Sequence, residues 1–192
     1  MCVALSLQTG IHVVPISHPD VTHHLTASYA LTPIIATSLI SVATLVKPEW
    51  LSAIIAAGSP AEEGELSTLE ERYDIPSTRK YRPTFSPSLP PSMKKYDVWE
   101  PNEGRPGLFR QMRFIFVGEK GTEAQGALKE LVRRAEGEYE CFGVEKGGEG
   151  FRQVLSKGRA RGSKLALVAA TEGTVAAIGK DGWKTLLSVA AR

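Results

Sequence analysis

The sequence predicts an α/β fold in which small parallel sheets are flanked by helices. Short apolar runs rich in β-branched residues alternate with stretches whose apolar residues recur at helical spacing, as in βαβ units. A segment that is first acidic and then rich in proline interrupts this alternation in the middle of the 192 residues. These observations divide the chain into two predicted domains, residues 1–58 and 110–192, and a linker, residues 59–109.

The composition is that of a globular protein without a strong charge bias. A formal net charge of +2 gives no overall reason to expect a nucleic-acid partner. The two cysteines, Cys2 and Cys141, lie far apart and form no metal-binding spacing, which favours a reduced intracellular protein. The N-terminus has no basic residue before its apolar part, so it does not resemble a secretory signal. Residues 30–46 are uncharged but contain Pro33 and are short for a membrane span, so no membrane association is expected.

The first block predicts three strands, at residues 11–14, 22–26 and 44–46. A helix is expected between the second and third strands. Thr32 is a suitable N-cap for it, and Pro33 a suitable first helical residue. The predicted order of elements is therefore strand, strand, helix, strand.

A second helix is predicted from Pro48 to Gly58, since proline favours the first helical turn and glycine the C-terminal end. Trp50 and nearby aliphatic residues lie on one side of this helix. Together with Leu45 of the preceding strand, Trp50 is predicted to belong to the core, because burying side chains of this size stabilises a fold by about 1.5–3 kcal/mol each.

The middle block contains too little apolar surface to fold unaided. It begins with a cluster of glutamates and becomes proline-rich between Pro76 and Pro106. Aromatic and aliphatic residues nevertheless recur along it at regular intervals. We therefore expect a linker that lies against the domains, with these residues as its anchors: Tyr73, Tyr81, Phe85, Leu89, Tyr96, Val98, Trp99 and Phe109.

The third block predicts strands at residues 112–117, 139–144 and 164–170, the last apolar enough to be a central strand. Phe114 and Phe116 of the first of these strands are predicted to be core.

Helical patterns separate and follow these strands. Thr122 and Gln125 have the spacing of a capping box at the start of a helix that runs to Ala135. A short helix is predicted at residues 151–155. A final helix at residues 181–191 is predicted to face inward through Trp183, Leu186, Leu187 and Ala190.

Several segments resemble the tandem BRCT region of the nibrin family, most closely its filamentous-fungal members. The segments in the linker are the more specific ones, because any BRCT repeat can show a strand followed by a helix with Pro and Trp. The resemblance is carried by residues 22–26 (THHLT), 45–51 (LVKPEWL), 81–87 (YRPTFSP), 98–103 (VWEPNE), 114–121 (FIFVGEKG) and 139–142 (YECF).

The resemblance implies a nuclear, non-catalytic scaffold. Nibrin is the regulatory subunit of the MRN complex, which acts in DNA double-strand-break repair, checkpoint signalling and telomere maintenance. The implied partners are subunits of the repair nuclease complex and phosphorylated chromatin proteins, with DNA contacted only indirectly or weakly. No enzyme activity, cofactor or metal is expected.

Measured against that family, the chain is expected to be a fragment. The first repeat is expected to lack its first strand, and the second its last strand and helix. The forkhead-associated domain and the nuclease-binding tail are also missing from the pattern. A repeat without its first strand exposes a sheet edge.

A phosphopeptide site is the first candidate for a binding function. Such a site needs hydroxyl and backbone N–H groups at a strand end and a cation at a helix start. Ile34 stands where relatives place a lysine, and Val117 stands where a serine or threonine would serve, so an intact pocket is not expected. Lys120 and Thr122 remain candidates for weak anion contact.

Three other patterns have alternative interpretations. Residues 118–122 could be a loop of a nucleotide-binding enzyme or a plain turn between a strand and a helix, and their spacing matches no phosphate-binding loop. A basic run from Arg152 to Lys164, including Arg159 and Arg161, could contact DNA phosphates or be a solvated loop. Four histidines between residues 12 and 24 suggest a metal, but adjacent strand residues such as His23 and His24 point to opposite faces.

Overall fold

The computed structural model describes residues 11–15, 18–60, 62, 65–121, 124–159, 164–169 and 171–190. Only the backbone is described for residues 158–159, 171–173 and 189–190. The chain folds as two compact units, residues 1–102 and 103–192. Both are mixed α/β structures with small parallel sheets and helices.

The first unit has two sheets of two strands each, both parallel: β1 pairs with β3, and β2 with β4. In order, its main elements are β1 (His23–Leu25), β2 (Ser28–Tyr29), α1 (Pro33–Ile40), β3 (Thr44–Val46), α2 (Pro48–Ala57), α3 (Thr68–Arg72) and β4 (Thr84–Phe85). Three short 3-10 helices complete it, at Thr78–Tyr81, Pro91–Met93 and Tyr96–Val98.

The helix starts predicted for this unit are confirmed. The Thr32 hydroxyl accepts a hydrogen bond from the Ile35 N–H, and Pro33 is the first residue of α1. Pro48 likewise opens α2. Gly58 follows the end of α2. Its backbone is right-handed (φ −87°, ψ 0°), so it does not adopt the left-handed conformation that glycine often takes at the end of a helix.

One predicted strand is wrong. Residues 11–14 are irregular and pair with no strand among the described residues. The β-branched composition of this segment favours extended backbone, but strand formation also requires a partner at hydrogen-bonding distance.

Residues 59–102, predicted as linker, belong to the first unit. Leu89 and Trp99 from this region form one core cluster with Tyr29, Ile35 and Leu45. The Trp99 Nε1–H donates to the Met93 carbonyl at 2.7 Å, which satisfies its one buried donor. The segment therefore obtains its fixed structure from tertiary packing that it shares with the strands and helices before it.

The second unit contains one parallel sheet of three strands in the order β6-β5-β7. Its elements are β5 (Met112–Gly118), α4 (Gly126–Arg134), β6 (Glu138–Gly143), a 3-10 turn (Val144–Lys146), α5 (Gly147–Arg159), β7 (Lys164–Ala169) and α6 (Thr171–Ala190). Two core clusters lie on its two faces, one centred on Phe142 and Phe151 and the other on Phe116 and Val132.

Two predictions for this unit are corrected, and a third is refined. The third strand, β7, lies at an edge and β5 is central. Helix α4 begins at Gly126 with Gln125 as its N-cap residue, without a side-chain cap bond, and Thr122 lies outside the described residues. The helix predicted at residues 181–191 corresponds to the part of α6 after Gly179, where a non-helical backbone (φ 72°, ψ 169°) separates it from the part that begins at Thr171.

The inward face predicted for that final helix is only partly correct. Leu186 is buried and Trp183 is partly buried against the Phe142 cluster. Leu187 is 47% exposed, although spacings of three and four residues place positions 183, 186 and 187 on the same side of a helix, so the contact covers only part of that side. The side chain of Ala190 is not described.

Candidate functional site

The residues predicted to be core form the framework of both units. Leu45, Trp50, Phe114 and Phe116 are buried, and Trp183 is partly buried. The Trp50 Nε1–H donates to the Pro76 carbonyl at 2.7 Å. Trp50 therefore ties α2 to the segment that follows α3.

A cavity of about 700 Å³ lies beside β1 in the first unit. All three residues of β1 line it. Residues of α1 (Ile34, Ser38) and of α2 (Trp50, Leu51, Ile54) line it as well, together with described residues of the segments 11–15 and 18–22. This volume is in the range of about 300–1,000 Å³ typical of ligand pockets.

The two helices that line the cavity pack on opposite faces of the β1–β3 sheet. His23 stacks on Trp50 of α2 with ring centroids 4.1 Å apart, and Leu25 packs on the cluster that contains Trp50. His24 points the other way, where its Nδ1 lies 2.6 Å from the Ser38 hydroxyl of α1. A cavity that touches both faces of a sheet as well as the strand itself lies off the edge of that strand.

The backbone at this edge of β1 has no partner among the described residues. The Thr44 N–H donates to the Thr22 carbonyl at 2.9 Å, and the Thr26 N–H to the Val46 carbonyl at 2.8 Å. Because backbone groups of successive strand residues point alternately to the two neighbouring strands, positions 22, 24 and 26 face β3. The N–H and C=O groups of His23 and Leu25 therefore face the cavity.

The inner walls of the cavity are neutral near pH 7. Burial lowers the pKa of both His23 and His24 from the ordinary value of 6.5. Of the described residues that line the cavity, Asp20 is the only acidic one and none is Lys or Arg. Asp20 is strongly exposed and lies 3.4 Å from the His18 ring, at the outer rim. The cavity can therefore accept apolar and hydrogen-bonding groups better than charged ones.

Of the four residues predicted to contact an anion, only Lys120 has a described side chain. Lys120 is exposed in the connection after β5. Thr122, Arg161 and the side chain of Arg159 lie outside the described residues. Arg152, from the predicted basic run, is paired with Glu149 at 3.2 Å.

The four histidines suggested as metal ligands all line the cavity. Within the described part of the chain, however, no group of three or more His, Cys, Asp or Glu side chains is arranged to hold a metal ion. The opposite directions of His23 and His24 agree with the strand geometry expected from the sequence.

Sequence reasoning indicated an exposed strand edge but missed the cavity and most of its walls. Ile34, which was expected to belong to the apolar face of its helix and to replace a lysine of the relatives, is 55% exposed on the cavity wall. The available signal was the missing first strand implied by the resemblance, since an absent neighbour leaves space as well as a free edge, although the strand predicted at residues 11–14 argued against it.

Comparisons with known proteins do not assign the chain to a group. No protein-family model, curated protein or solved structure matches it. Among the helices that the structure describes, none has the length and apolar character needed to cross a membrane.

Proposed function

We propose that this chain is a non-catalytic protein-interaction module, related to the tandem BRCT region of nibrin, that acts as a scaffold in DNA double-strand-break repair. The observation that carries the interaction role is the free edge of β1, which no strand pairs within the described part of the chain, beside the 700 Å³ cavity. A strand edge next to an open, mainly apolar space suits the binding of a protein segment.

The two linker segments that carry the resemblance to nibrin contact each other. These segments, residues 81–87 and 98–103, are the most specific part of the resemblance. Arg82 forms an ion pair with Glu100 and lies over the Tyr96 ring at 4.5 Å from its centroid. Tyr81 packs against the Trp50 cluster.

The proposed partners are the subunits of the repair nuclease complex, with phosphorylated chromatin proteins as a second class, and the proposed location is the nucleus. The test is to express the chain with an affinity tag and a fluorescent tag in cells of its own species and to induce double-strand breaks. Nuclear foci and co-purification of the nuclease subunit are expected, with the tags alone as the control. Exclusion from the nucleus, together with no enrichment of the nuclease over that control, would contradict the proposal.

The two alternative functions stay predictions, and no described contact favours either. A nucleotide-binding enzyme around residues 118–122 predicts heat on titration with ATP or a dinucleotide. A DNA-contacting module around residues 152–164 predicts an affinity that falls steeply with salt, and a flatter slope when Arg159 and Arg161 are neutralised.

A further inference from the structure

We propose that the first unit binds an extended, uncharged segment of a partner protein as an added strand along the free edge of β1. The inference rests on the proposed function, because it names how the interaction module holds its partner. Two N–H and two C=O groups, from His23 and Leu25, face the cavity. A strand laid there can exchange main-chain hydrogen bonds with them, which is the mode of recognition called β-augmentation.

The walls of the cavity define where the side chains of the added strand go. Successive side chains of a strand point to opposite faces of the sheet. One set would therefore meet Trp50, Leu51 and Ile54 of α2, and the alternate set would meet Ile34 and Ser38 of α1. The first wall is apolar, whereas the second contains a hydroxyl and the His24 ring beside it.

The charge of the residues that line the cavity indicates whether the bound segment is charged or uncharged. His23 and His24 are uncharged near pH 7, and the lining offers no Lys or Arg among the described residues. A carboxylate or phosphate entering the cavity would lose hydration without gaining a Lys or Arg partner among the described residues. The occupant is therefore an uncharged stretch with apolar side chains on one face and apolar or hydroxyl side chains on the other.

The experiment uses the full chain and a synthetic probe. The probe is a fluorescein-labelled decapeptide of alternating Val and Thr with a Gly-Lys-Lys tail for solubility. Its binding is measured by fluorescence anisotropy, and amide hydrogen exchange is followed by NMR. Binding is expected to slow exchange at the amides of His23 and Leu25. An analogue N-methylated at every second amide is expected to bind about tenfold more weakly, because it has lost two or more main-chain hydrogen bonds.

Two matched variants test whether the peptide binds in the cavity. Ile34→Asp puts a carboxylate on the cavity wall and is expected to weaken binding about tenfold. Ile75→Asp makes the same change at a residue of similar exposure, 61% against 55%, that does not line the cavity. It is expected to leave binding unchanged. Because both positions are exposed, both variants are expected to keep the circular dichroism spectrum of the parent chain.

Several results would overturn the inference. These are absence of binding by the peptide, equal binding by its N-methylated analogue, and equal effects of the two Asp variants. Slow exchange at His23 and Leu25 in the free chain would also overturn it, since that result would show an edge that is already paired. Failure of the proposed function can be told apart from failure of this inference. Peptide binding at β1 without nuclear foci or nuclease co-purification would support the added strand and contradict the repair role.

Discussion

Val42 holds a backbone conformation that its side chain disfavours. It lies between α1 and β3 with φ of 60°, in the left-handed region. A branched Cβ is costly there, by about 1–2 kcal/mol, because it approaches the following carbonyl oxygen. The Val42 N–H donates to the Leu39 carbonyl at 3.2 Å as the chain reverses toward β3.

Replacing this residue is expected to reveal the strain. Val42→Gly should raise the free energy of unfolding of the first unit by about 1 kcal/mol, because glycine adopts positive φ without the steric cost. Val42→Ala removes a similar part of the side chain but keeps a Cβ, so it should give no such gain. Urea denaturation followed by tryptophan fluorescence measures both variants. Equal stability of the Gly and Ala variants would show that the backbone is not strained.

His23 and His24 make the stability of the first unit depend on pH. Burial lowers the pKa of each ring in the folded state below the ordinary 6.5. Near and below pH 6.5 the unfolded chain therefore binds more protons than the folded chain, and stability must fall as the pH is lowered. Above about pH 7.5 this dependence should disappear, since neither state is then protonated at these rings.

The measurement is the urea midpoint of the first unit between pH 5 and pH 7.5. The midpoint is expected to decrease toward pH 5, and the double variant with His23→Gln and His24→Gln is expected to show a flatter dependence. The hydrogen bonds from Ser67 lower the pKa of Glu70, but that group titrates at more acidic pH and does not enter this window. An unchanged slope in the double variant would assign the dependence to other groups.

At the scale of elements, α3 is a short helix whose start is fixed by side chains. The Ser67 hydroxyl accepts from the Glu70 N–H, and the Glu70 carboxylate accepts from the Ser67 N–H at 2.8 Å, which together form a capping box. Leu69 packs from this helix against the Trp50 cluster. A helix of five residues has little intrinsic stability, so the cap and this contact hold it.

Removing the cap is expected to loosen α3. Ser67→Ala should destabilise this helix by about 1 kcal/mol, the usual effect of losing a serine N-cap. Amide hydrogen exchange should become faster at Glu70 and Glu71, while β1 and β3 keep their protection. Thr68→Ala, at an exposed neighbouring position, is the matched control. Equal exchange rates in the two variants would show that the capping box does not determine the stability of α3.

The elements that the sequence predicted well are those set by neighbouring residues. Thr32, Pro33 and Pro48 start their helices as expected because caps and first-turn prolines act within one turn. The helix that follows the pattern of Thr122 and Gln125 begins only at Gly126, whereas the equivalent pattern at Ser67 and Glu70, for which no helix was predicted, starts α3. A four-residue pattern shows that a cap is possible, while packing such as that of Leu69 decides where the helix forms.

The features that the sequence did not predict depend on distant residues. β7 is as apolar as a central strand but lies at an edge, because strand order depends on which partners are within reach. The cavity beside β1 is lined by residues that lie between positions 11 and 54. A pattern of neighbouring residues in the sequence could therefore not indicate its volume. The unpaired edge of β1 was expected only from the resemblance, which implies a missing first strand, whereas the residue pattern predicted a strand at residues 11–14.

At the scale of the whole molecule, the division into two units has a consequence for stability. Each unit has its own core clusters: those of Tyr29 and Val46 in the first unit, and those of Phe142 and Phe116 in the second. Phe142 is fully buried and packs on Phe151 with ring centroids 4.9 Å apart. Its replacement therefore tests whether the second unit unfolds by itself.

Phe142→Ala is expected to destabilise the second unit by about 3–5 kcal/mol, because it removes a buried ring and leaves a cavity. Amide exchange in β5 and β6 should accelerate in proportion, whereas exchange in β3 and α2 of the first unit should not change, since units with separate cores can open separately. Tyr139→Ala, at a residue of the same strand that is 43% exposed, is the control and should have a much smaller effect. Equal acceleration of exchange in both units of the Phe142→Ala variant would show instead that the 192 residues unfold as one cooperative structure.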